Sequence, residues 1–531
     1  MKRFPGFLNG GLTALALVVA SIAAVPVAHA AGTTLKFVPE GDLRSLDPIW
    51  TTSGVTRSYA YMVYDQLFAL DDQFRPQPQM VDQWTVSPDK LHYRFTLRDG
   101  LKWHDGKPVH SADCVASIER WMKRDILGQS LAEAIDEMKV VDDKTFSIDL
   151  KSPFPLMLDA FAKLAAGALF VMPERIAKTD PNTQVVESIG SGPFRFVKSE
   201  WVPGSKAVFE KNPDYVPRNE PVNWGAGGKV AKVDRVEWIY IPDMQTATNA
   251  LRSGSVDWVA KVPQDLVPQL ERVEDVNIRV IDPFGSWVIM RFNHEQPPFN
   301  DEKLRQAVLW GMNQSDYMTA IAGEDQKYWQ ACYSFYTCKT PLSTTAGAEA
   351  LMGPRDLVKA KALIKESSYK GEKIVIMSAT DMTLSNASAL VTADLFRKLG
   401  LNVDLQSMDW GTMQQRRASH AAPADGGWNV FFTYFSAADM LNPALNIPLS
   451  SNGAKSWVGW PVDPKLEAMK NQWLVAEPAV QQALATDIQI EAFKSVPYVP
   501  LGQFMIPTAY RSNLHGVIEA PEVFMWAVEK R

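Results

Sequence analysis

Apolar and polar residues alternate without a break over residues 91–98. The apolar positions in this stretch are Leu91, Tyr93, Phe95 and Leu97. A period of two is typical of a strand that buries one face. The dipeptides Asp99-Gly100 and Asp105-Gly106 predict turns after this strand, because glycine tolerates a positive φ.

A helix is predicted after Pro108. Ser111 carries the short hydroxyl side chain that is preferred at a helix N-cap, and apolar residues then recur at helical spacing, at Val115, Ile118 and Met122. With the preceding strand, this pattern predicts a strand–turn–helix unit.

Helical periodicity also predicts helices over residues 59–68, 246–252 and 387–399. A strand, a helix and a second strand are predicted in succession over residues 374–405. That order favours an α/β fold with a parallel, doubly wound sheet, in which ligands bind at the ends of the strands.

The length and charge of the chain narrow the class of protein. A chain of 531 residues is too long for one ordinary core and predicts two or three domains. Its formal net charge of -6 gives no electrostatic reason to bind nucleic acid or an anionic membrane. Seventeen tryptophans and fourteen tyrosines are enough to line a pocket as well as to pack cores.

The first thirty residues predict export. Lys2 and Arg3 precede an apolar run over residues 12–20, and the segment closes with the small–x–small pattern Ala28-His29-Ala30. We interpret residues 1–30 as a signal peptide cleaved after Ala30, which directs the mature protein to the periplasm. A membrane anchor is the alternative, but the apolar run is short for a span and is broken by Ser21.

Cysteine use agrees with an oxidising compartment. Cys332 and Cys338 lie close together in a tyrosine-rich loop and can form a disulfide there. Cys114 is expected to pack as a small buried apolar residue. Three cysteines without a companion histidine cluster do not form a zinc site, so no metal or other cofactor is expected.

A secreted hydrolase is the rival class. No HExxH or GxSxG motif occurs, although serine, histidine and aspartate residues far apart in sequence can still meet in space. No motif identifies a nucleophile or a base, so no catalytic residue is predicted and the chain is not expected to be an enzyme.

The run over residues 84–108 resembles the signature of the bacterial family 5 extracellular solute-binding proteins, the group of dipeptide and oligopeptide receptors. Its tryptophan, serine and aspartate, its Y-x-F-x-L-R strand and its K-W-x-D-G-x-P turn all match, the last as Lys102 to Pro108. Further matches include Ser191-Gly192-Pro193-Phe194 and the stretch over residues 292–308. Matching motifs extend from Leu46 to about Pro500.

This resemblance implies an α/β, two-lobed periplasmic binding protein fold (type II-like) with hinge strands and an extra small domain. Lobe I is expected to comprise residues 31–70, 189–285 and 504–531. The accessory domain, which carries the signature, is expected at residues 71–188, and lobe II at residues 286–503. Closure of the lobes around a solute is a hinge transition.

The resemblance also implies solute contacts from lobe II. In peptide receptors of the family a tryptophan opens a helix, an arginine follows seven residues later, and an aspartate holds the α-amino group of the peptide. Trp410, Arg417 and Asp439 fill these places, although Asp439 comes one residue late, and the family's glycine and tryptophan are replaced by Tyr434 and Phe435. The neighbouring Ser436 and the loop residue Trp457 are further candidates for the cleft wall.

Each of these residues also has a structural interpretation. Asp439 can be a helix cap, Arg417 can be solvated beside Arg416, and Trp457 can belong to a core. In favour of a ligand role, a carboxylate beside aromatic walls binds ammonium well, and a guanidinium clamps a carboxylate bidentately.

Further contacts are expected from the segment after Leu46 and from two other positions. Family members present backbone and side-chain groups there, which implies Thr52, Ser53 and Gly54, and then Thr383 and Gln503.

The expected function is that of the periplasmic substrate-binding component of an ABC importer. It would act as a monomer, capture a peptide or similar small zwitterion, and deliver it to the permease subunits in the inner membrane. The changed glycine and tryptophan positions leave receptors for an opine or an oligosaccharide as alternatives.

Overall fold

The structure, a computed structural model, describes residues 33–531. The predicted signal peptide at residues 1–30 lies outside the described residues. No helix between residues 33 and 531 combines the length and the apolar character needed to cross a membrane.

The described residues form 21 strands. In chain order, β1 to β21 are Thr34–Val38, Phe68–Leu70, Pro76–Pro78, Val81–Val86, His92–Leu97, Ile135–Val140, Thr145–Leu150, Phe194–Phe196, Lys206–Lys211, Arg235–Ile239, Trp258–Val259, Val276–Arg279, Ser286–Phe292, Trp329–Gln330, Lys373–Ala379, Asn402–Met408, Val430–Ser436, Val499–Phe504, Thr508–Arg511, Leu514–His515 and Glu529–Lys530.

The same part of the chain forms 15 α-helices. In chain order, α1 to α15 are Gly54–Val63, Ser111–Met122, Ile126–Ala134, Met157–Phe161, Glu174–Ala177, Met244–Arg252, Val267–Leu270, Glu302–Gly311, Gln314–Ala322, Glu349–Met352, Leu357–Glu366, Thr383–Leu399, Trp410–Arg416, Pro464–Val475 and Pro478–Ser495.

Lobe I is built around a seven-stranded mixed sheet, in the order β12-β19-β11-β1-β10-β9-β8. β1 lies between β10 and β11 and is parallel to both, and the other pairs are antiparallel. Phe37 of β1 packs between two tryptophans of its neighbours, with ring centroids 5.8 Å from Trp238 and 5.1 Å from Trp258. This aromatic cluster fixes the sheet beneath the floor of the cleft described below.

Lobe II is built around a six-stranded sheet, in the order β14-β18-β13-β17-β15-β16. β15 is parallel to both β16 and β17, while β13 is antiparallel to β17 and β18. The predicted strand–helix–strand unit at residues 374–405 is confirmed as β15, α12 and β16. Gly400 ends α12 with a φ of 85°, which suits glycine.

The signature stretch lies in a separate four-stranded antiparallel sheet, in the order β4-β5-β7-β6. The predicted alternation is confirmed, because β5 buries Tyr93, Phe95 and Leu97 and exposes His92 and Arg94. The predicted lobe and accessory-domain boundaries stay predictions.

Two local predictions are corrected by the structure. The helix that begins at Ser111 is capped by His110, and the Ser111 hydroxyl donates instead to the backbone carbonyl of Asp142. The helix predicted over residues 59–68 is α1, and it ends earlier because Tyr64 adopts an extended conformation. The aromatic stripe that suggested a longer helix is buried on both α1 and β2, so burial alone did not mark the helix end.

The chain passes between the two large sheets after β12 and again after β18. The first connection contains residues 280–285 and the second residues 505–507. The disulfide predicted between Cys332 and Cys338 is present in lobe II, and Cys114 is free and buried.

Candidate functional site

A cavity of about 700 Å³ lies between the seven-stranded and the six-stranded sheets. Lobe I contributes Phe37, Trp238 and Lys261 to its wall, and lobe II contributes the end of β17. A second cavity of about 1080 Å³ adjoins it and shares wall residues, among them Lys261 and Tyr434.

Most of the residues predicted from the sequence lie in these walls. The main cavity is lined by Thr52, Gly54, Trp410, Arg417, Tyr434, Phe435, Ser436, Asp439 and Trp457. The adjoining cavity is lined by Ser53, Gly54, Thr383 and Tyr434. Segments far apart in sequence are therefore brought together as the predicted site requires.

Gln503 is the exception, because it lines neither cavity. Its side chain is fully buried in β18, donates to the carbonyl of Phe284 at 2.8 Å and accepts the amide of Cys338 at 3.1 Å. These bonds tie the disulfide loop to the connection between the lobes, so the observed role of Gln503 is structural.

The end of β17 places Asp439. After Ser436 the chain enters a short 3₁₀ helix, Ala437–Met440, and the Ala437 amide donates to the Gly285 carbonyl at 2.9 Å. An Asp439 carboxylate oxygen accepts the backbone amide of Ala166 at 3.1 Å. Asp439 thus contacts a residue 273 positions earlier in the chain that also lines the main cavity, and its remaining lone pairs are available to a solute.

Arg417 is placed by the helix that Trp410 opens. Asp409 caps α13 by accepting the Thr412 amide at 2.9 Å, and Arg417 is the residue that ends the helix. Its guanidinium lies 5.3 Å from the Trp457 ring centroid and 5.6 Å from that of Phe431. Among residues 33–531, no carboxylate lies within 4.0 Å of it, and no charged partner contributes to the shift of its pKa. Burial lowers the pKa of Arg417, which is the effect expected of an unpaired cation.

The aromatic wall is held from behind by a buried arginine. The guanidinium of Arg291 donates to four carbonyls, at 2.7 Å to Val458, 2.8 Å to Pro448 and Pro497, and 3.0 Å to Trp457. Burial lowers the pKa of Arg291 to about 9. These bonds fix the loop that presents the Trp457 ring to the cavity.

The remaining cations of the main wall are mostly paired within the protein. Arg57 pairs with Glu522, Lys261 with Glu40, and Lys163 with Asp125. These pairs were not predicted from the sequence, because the partners lie far apart in the chain and belong to none of the matched motifs.

Burial and mutual attraction shift the pKa values of the pair Arg57 and Glu522. Burial raises the pKa of Glu522 to about 7, against the opposing effect of Arg57. Burial disfavours the charged form of Arg57, but Glu522 and Asp439 outweigh it and raise the pKa of that guanidinium.

Asp282 was also missed, and it lies in the connection between β12 and β13. Its carboxylate lines the main cavity and accepts the Phe284 amide at 3.0 Å. Burial raises its pKa to about 6, against opposing hydrogen bonds from the Gly285 and Phe284 amides. Within residues 33–531 no cationic nitrogen lies within 4.0 Å of it.

Neither cavity wall contains a histidine or a cysteine in the described part of the chain. Residues 33–531 also contain no group of three or more histidine, cysteine, aspartate or glutamate side chains that could hold a metal ion. The chemistry offered by the walls is that of charges, hydrogen bonds and aromatic faces.

Two lobes around a charged, aromatic-lined cavity define a solute-binding protein. The family model for bacterial extracellular solute-binding proteins, family 5, matches residues 75–457. The chain belongs to this family, which consists of solute-binding proteins.

One relative is 39% identical over 528 residues, which is 99% of this chain and 98% of the relative. It is described as a probable peptide ABC transporter periplasmic-binding protein, y4tO, from Sinorhizobium fredii.

Two solved structures share the fold at lower identity. A dipeptide binding protein from a Pseudoalteromonas species, in complex with Met-Leu, has a TM-score of 0.75 at 19% identity, covering 94% of this chain and 100% of that one. The binding protein AgaA from Agrobacterium tumefaciens, in complex with agropinic acid, has a TM-score of 0.74 at 20% identity, covering 94% and 99%.

Proposed function

We propose that this protein is the periplasmic substrate-binding component of an ABC importer and that it binds a peptide or similar small zwitterion between its lobes. It delivers the solute to the permease subunits in the inner membrane and performs no chemistry on it. The proposal draws on the family, on the description of the relative at 39% identity, and on the charges of the cleft.

The observation that carries the proposal is the environment of Arg417. A guanidinium that is half-buried, flanked by two aromatic rings and without a carboxylate partner among the described residues is suited to an external anion. A planar carboxylate fits its fork in a bidentate way, and such charge-assisted bonds strengthen where water is excluded. The carboxylate of a peptide has this geometry.

Asp439 supplies the complementary charge. Its single described hydrogen bond, from the Ala166 amide, leaves acceptor sites for an ammonium group. Tyr434 and Phe435 line the same cavity, and aromatic faces add a favourable contact for a cation. The cavity therefore presents groups for both ends of a zwitterion.

A receptor role also fits the absence of histidine and cysteine from the described cavity walls, since these are common bases and nucleophiles. Closure of two lobes around a solute requires only that the solute bind the closed state better than the open one.

The test begins with mass spectrometry of the protein purified under native conditions, to identify any solute that it carries. The solute is then removed by unfolding and refolding, and calorimetry is run with Ala-Ala, Ala-Ala amide and N-acetyl-Ala-Ala. We expect the free dipeptide to bind and each blocked form to bind at least about ten-fold more weakly, because each lacks one charge. An uncharged sugar in the cleft, or equal binding of the three probes, would contradict the zwitterion proposal, and release of a cleaved product would contradict the receptor role.

A further inference from the structure

The two adjoining cavities carry an excess of negative charge. Nine carboxylate side chains and five cationic side chains line them in the described part of the chain. The excess comes from the adjoining cavity, whose wall adds Asp265, Glu271, Glu324 and Asp325 and no cation beyond the shared Lys261.

The ion pairs within the wall do not remove this excess. Three carboxylates of the main cavity are matched one to one by Arg57, Lys163 and Lys261. Glu40 and Lys261 line both cavities, so this pair is shared. Of the four carboxylates that the adjoining cavity adds, only Asp325 has a cationic nitrogen within 4.0 Å among residues 33–531, that of the exposed Lys327 at 3.7 Å. Among residues 33–531, the carboxylates that remain have no cation of their own. Those of the adjoining cavity are exposed, so salt screens their attraction for a solute.

Two cations of the main cavity have no carboxylate partner, but they are not equivalent. Arg124 is exposed at the rim and donates to the Trp50 carbonyl and to the Asn182 side chain, at 3.2 Å and 3.0 Å. Water screens its charge. Arg417 is the unpaired cation inside the cavity, and in the proposed function it is neutralised by the solute carboxylate.

In the main cavity this leaves two carboxylates, Asp282 and Asp439, outside any ion pair of the described residues, although the charge of Asp439 also acts on Arg57. They come from the same end of two paired strands, since β13 begins and β17 ends at the pair Ser286 and Ser436. Asp282 lies four positions before Ser286, and Asp439 three positions after Ser436. A solute with one ammonium group satisfies only one of them.

Asp282 lines only the main cavity, but residues close to it line both cavities. Ser286 lines both cavities, and so does Lys261, whose charge acts on Asp282. The other cation that acts on it is Arg57. Both of these cations are engaged by Glu40 and Glu522, so a cationic group of the solute can pair with Asp282 without competing with a dedicated partner.

We propose that the solute carries more positive than negative charge, as a peptide or amino-acid derivative with a basic side chain does. Its zwitterionic end meets Arg417 and Asp439, and its basic side chain extends past Asp282 toward the acidic wall of the adjoining cavity. This inference rests on the proposed function and specifies the solute class of the same site.

The experiment compares two dipeptides of similar shape, Ala-Lys and Ala-norleucine, by calorimetry on the stripped protein. We expect Ala-Lys to bind at least about ten-fold more tightly, and the ratio to fall as salt is added, because a charge–charge attraction is screened. Asp282→Asn should reduce the ratio to within about two-fold. Asp425→Asn, an exposed aspartate of lobe II outside both cavities, is the matched control and should leave the ratio unchanged.

The outcomes separate the two proposals. If neither dipeptide binds, the proposed function fails. If both bind equally, the proposed function stands and the inference about charge is overturned. If Asp282→Asn melts well below the wild type, the double variant Asp265→Asn/Glu271→Gln replaces it, since both residues are exposed, and a ratio unchanged from wild type would overturn the inference.

Discussion

Replacing Arg417 by methionine separates solute binding from protein stability. The side chain keeps its length and its contact with the aromatic rings but loses the guanidinium. No carboxylate within residues 33–531 depends on that guanidinium, so the change leaves no acid of the described fold unpaired.

The size of the effect follows from the burial of Arg417. Removing one partner of a desolvated, hydrogen-bonded charge pair costs about 2–5 kcal/mol of binding free energy. Arg417 is only partly buried, which places the expected loss at the lower end, about 2–3 kcal/mol. At about 1.4 kcal/mol per factor of ten, the dissociation constant for Ala-Ala should rise about 30- to 140-fold.

The free energy of unfolding should change by less than about 1 kcal/mol. The variant loses two cation–π contacts, at 5.3 and 5.6 Å, but it also no longer holds an unpaired charge in a partly buried place. Urea denaturation of the stripped protein measures this quantity, and calorimetry measures affinity.

Arg416 is the matched control, because it is adjacent and lies outside both cavities. Its guanidinium donates to the carbonyls of Gly426 and Gly427 and to Gln406. Arg416→Met should therefore lower stability and leave affinity nearly unchanged. The reasoning is refuted if Arg417→Met binds Ala-Ala like the wild type, or if it weakens Ala-Ala amide as much as the free acid.

Four further outcomes are expected. Asp439→Asn should weaken Ala-Ala binding about 10- to 100-fold by calorimetry, since the amide keeps the shape but loses the charge that pairs the ammonium. Calorimetric binding of Ala-Lys should strengthen from pH 5 to pH 7, because the pKa of Asp282 is raised to about 6 and only its ionised form attracts an ammonium; a flat profile would contradict this. Asp282→Asn should show a shallower profile, and the part that remains comes from Glu522, whose pKa is raised to about 7 in the same cavity. Arg291→Met should lower the free energy of unfolding by about 3 kcal/mol or more in urea, because it leaves buried carbonyls without donors. Replacing Cys332 and Cys338 by serine should cost about 2 kcal/mol in the same assay, the loop-closure entropy of a short ring.

Local pattern and family motifs predicted much of this molecule. The alternation around Phe95 predicted the strand correctly, because one face of that sheet is buried and the other is exposed to solvent. The motif positions of Trp410, Arg417 and Asp439 placed them in one cavity wall without knowledge of the fold. Asp439 lies there, in the 3₁₀ turn that follows β17, despite the shift of one residue.

The residues that escaped prediction are those whose role depends on long-range pairing. Arg57 and Glu522 are 465 positions apart, and neither lies in a motif. Asp282 occupies an irregular connection with no periodicity to interpret. Gln503 is the opposite case, a residue that was predicted to contact the solute. Its position in the sequence did not reveal that its amide faces Phe284 and Cys338 and not the cleft.

The pairing of Arg57 with Glu522 also has a consequence for how the cleft forms. Closing a loop of 465 positions costs about 5 kcal/mol of chain entropy, so this contact forms only when the rest of the fold already holds the two segments together. A nascent chain that has not yet folded its last thirty residues has an incomplete cleft and a buried arginine without its partner. The main cavity therefore has its full wall only once residues 520–523 near the end of the chain are in place.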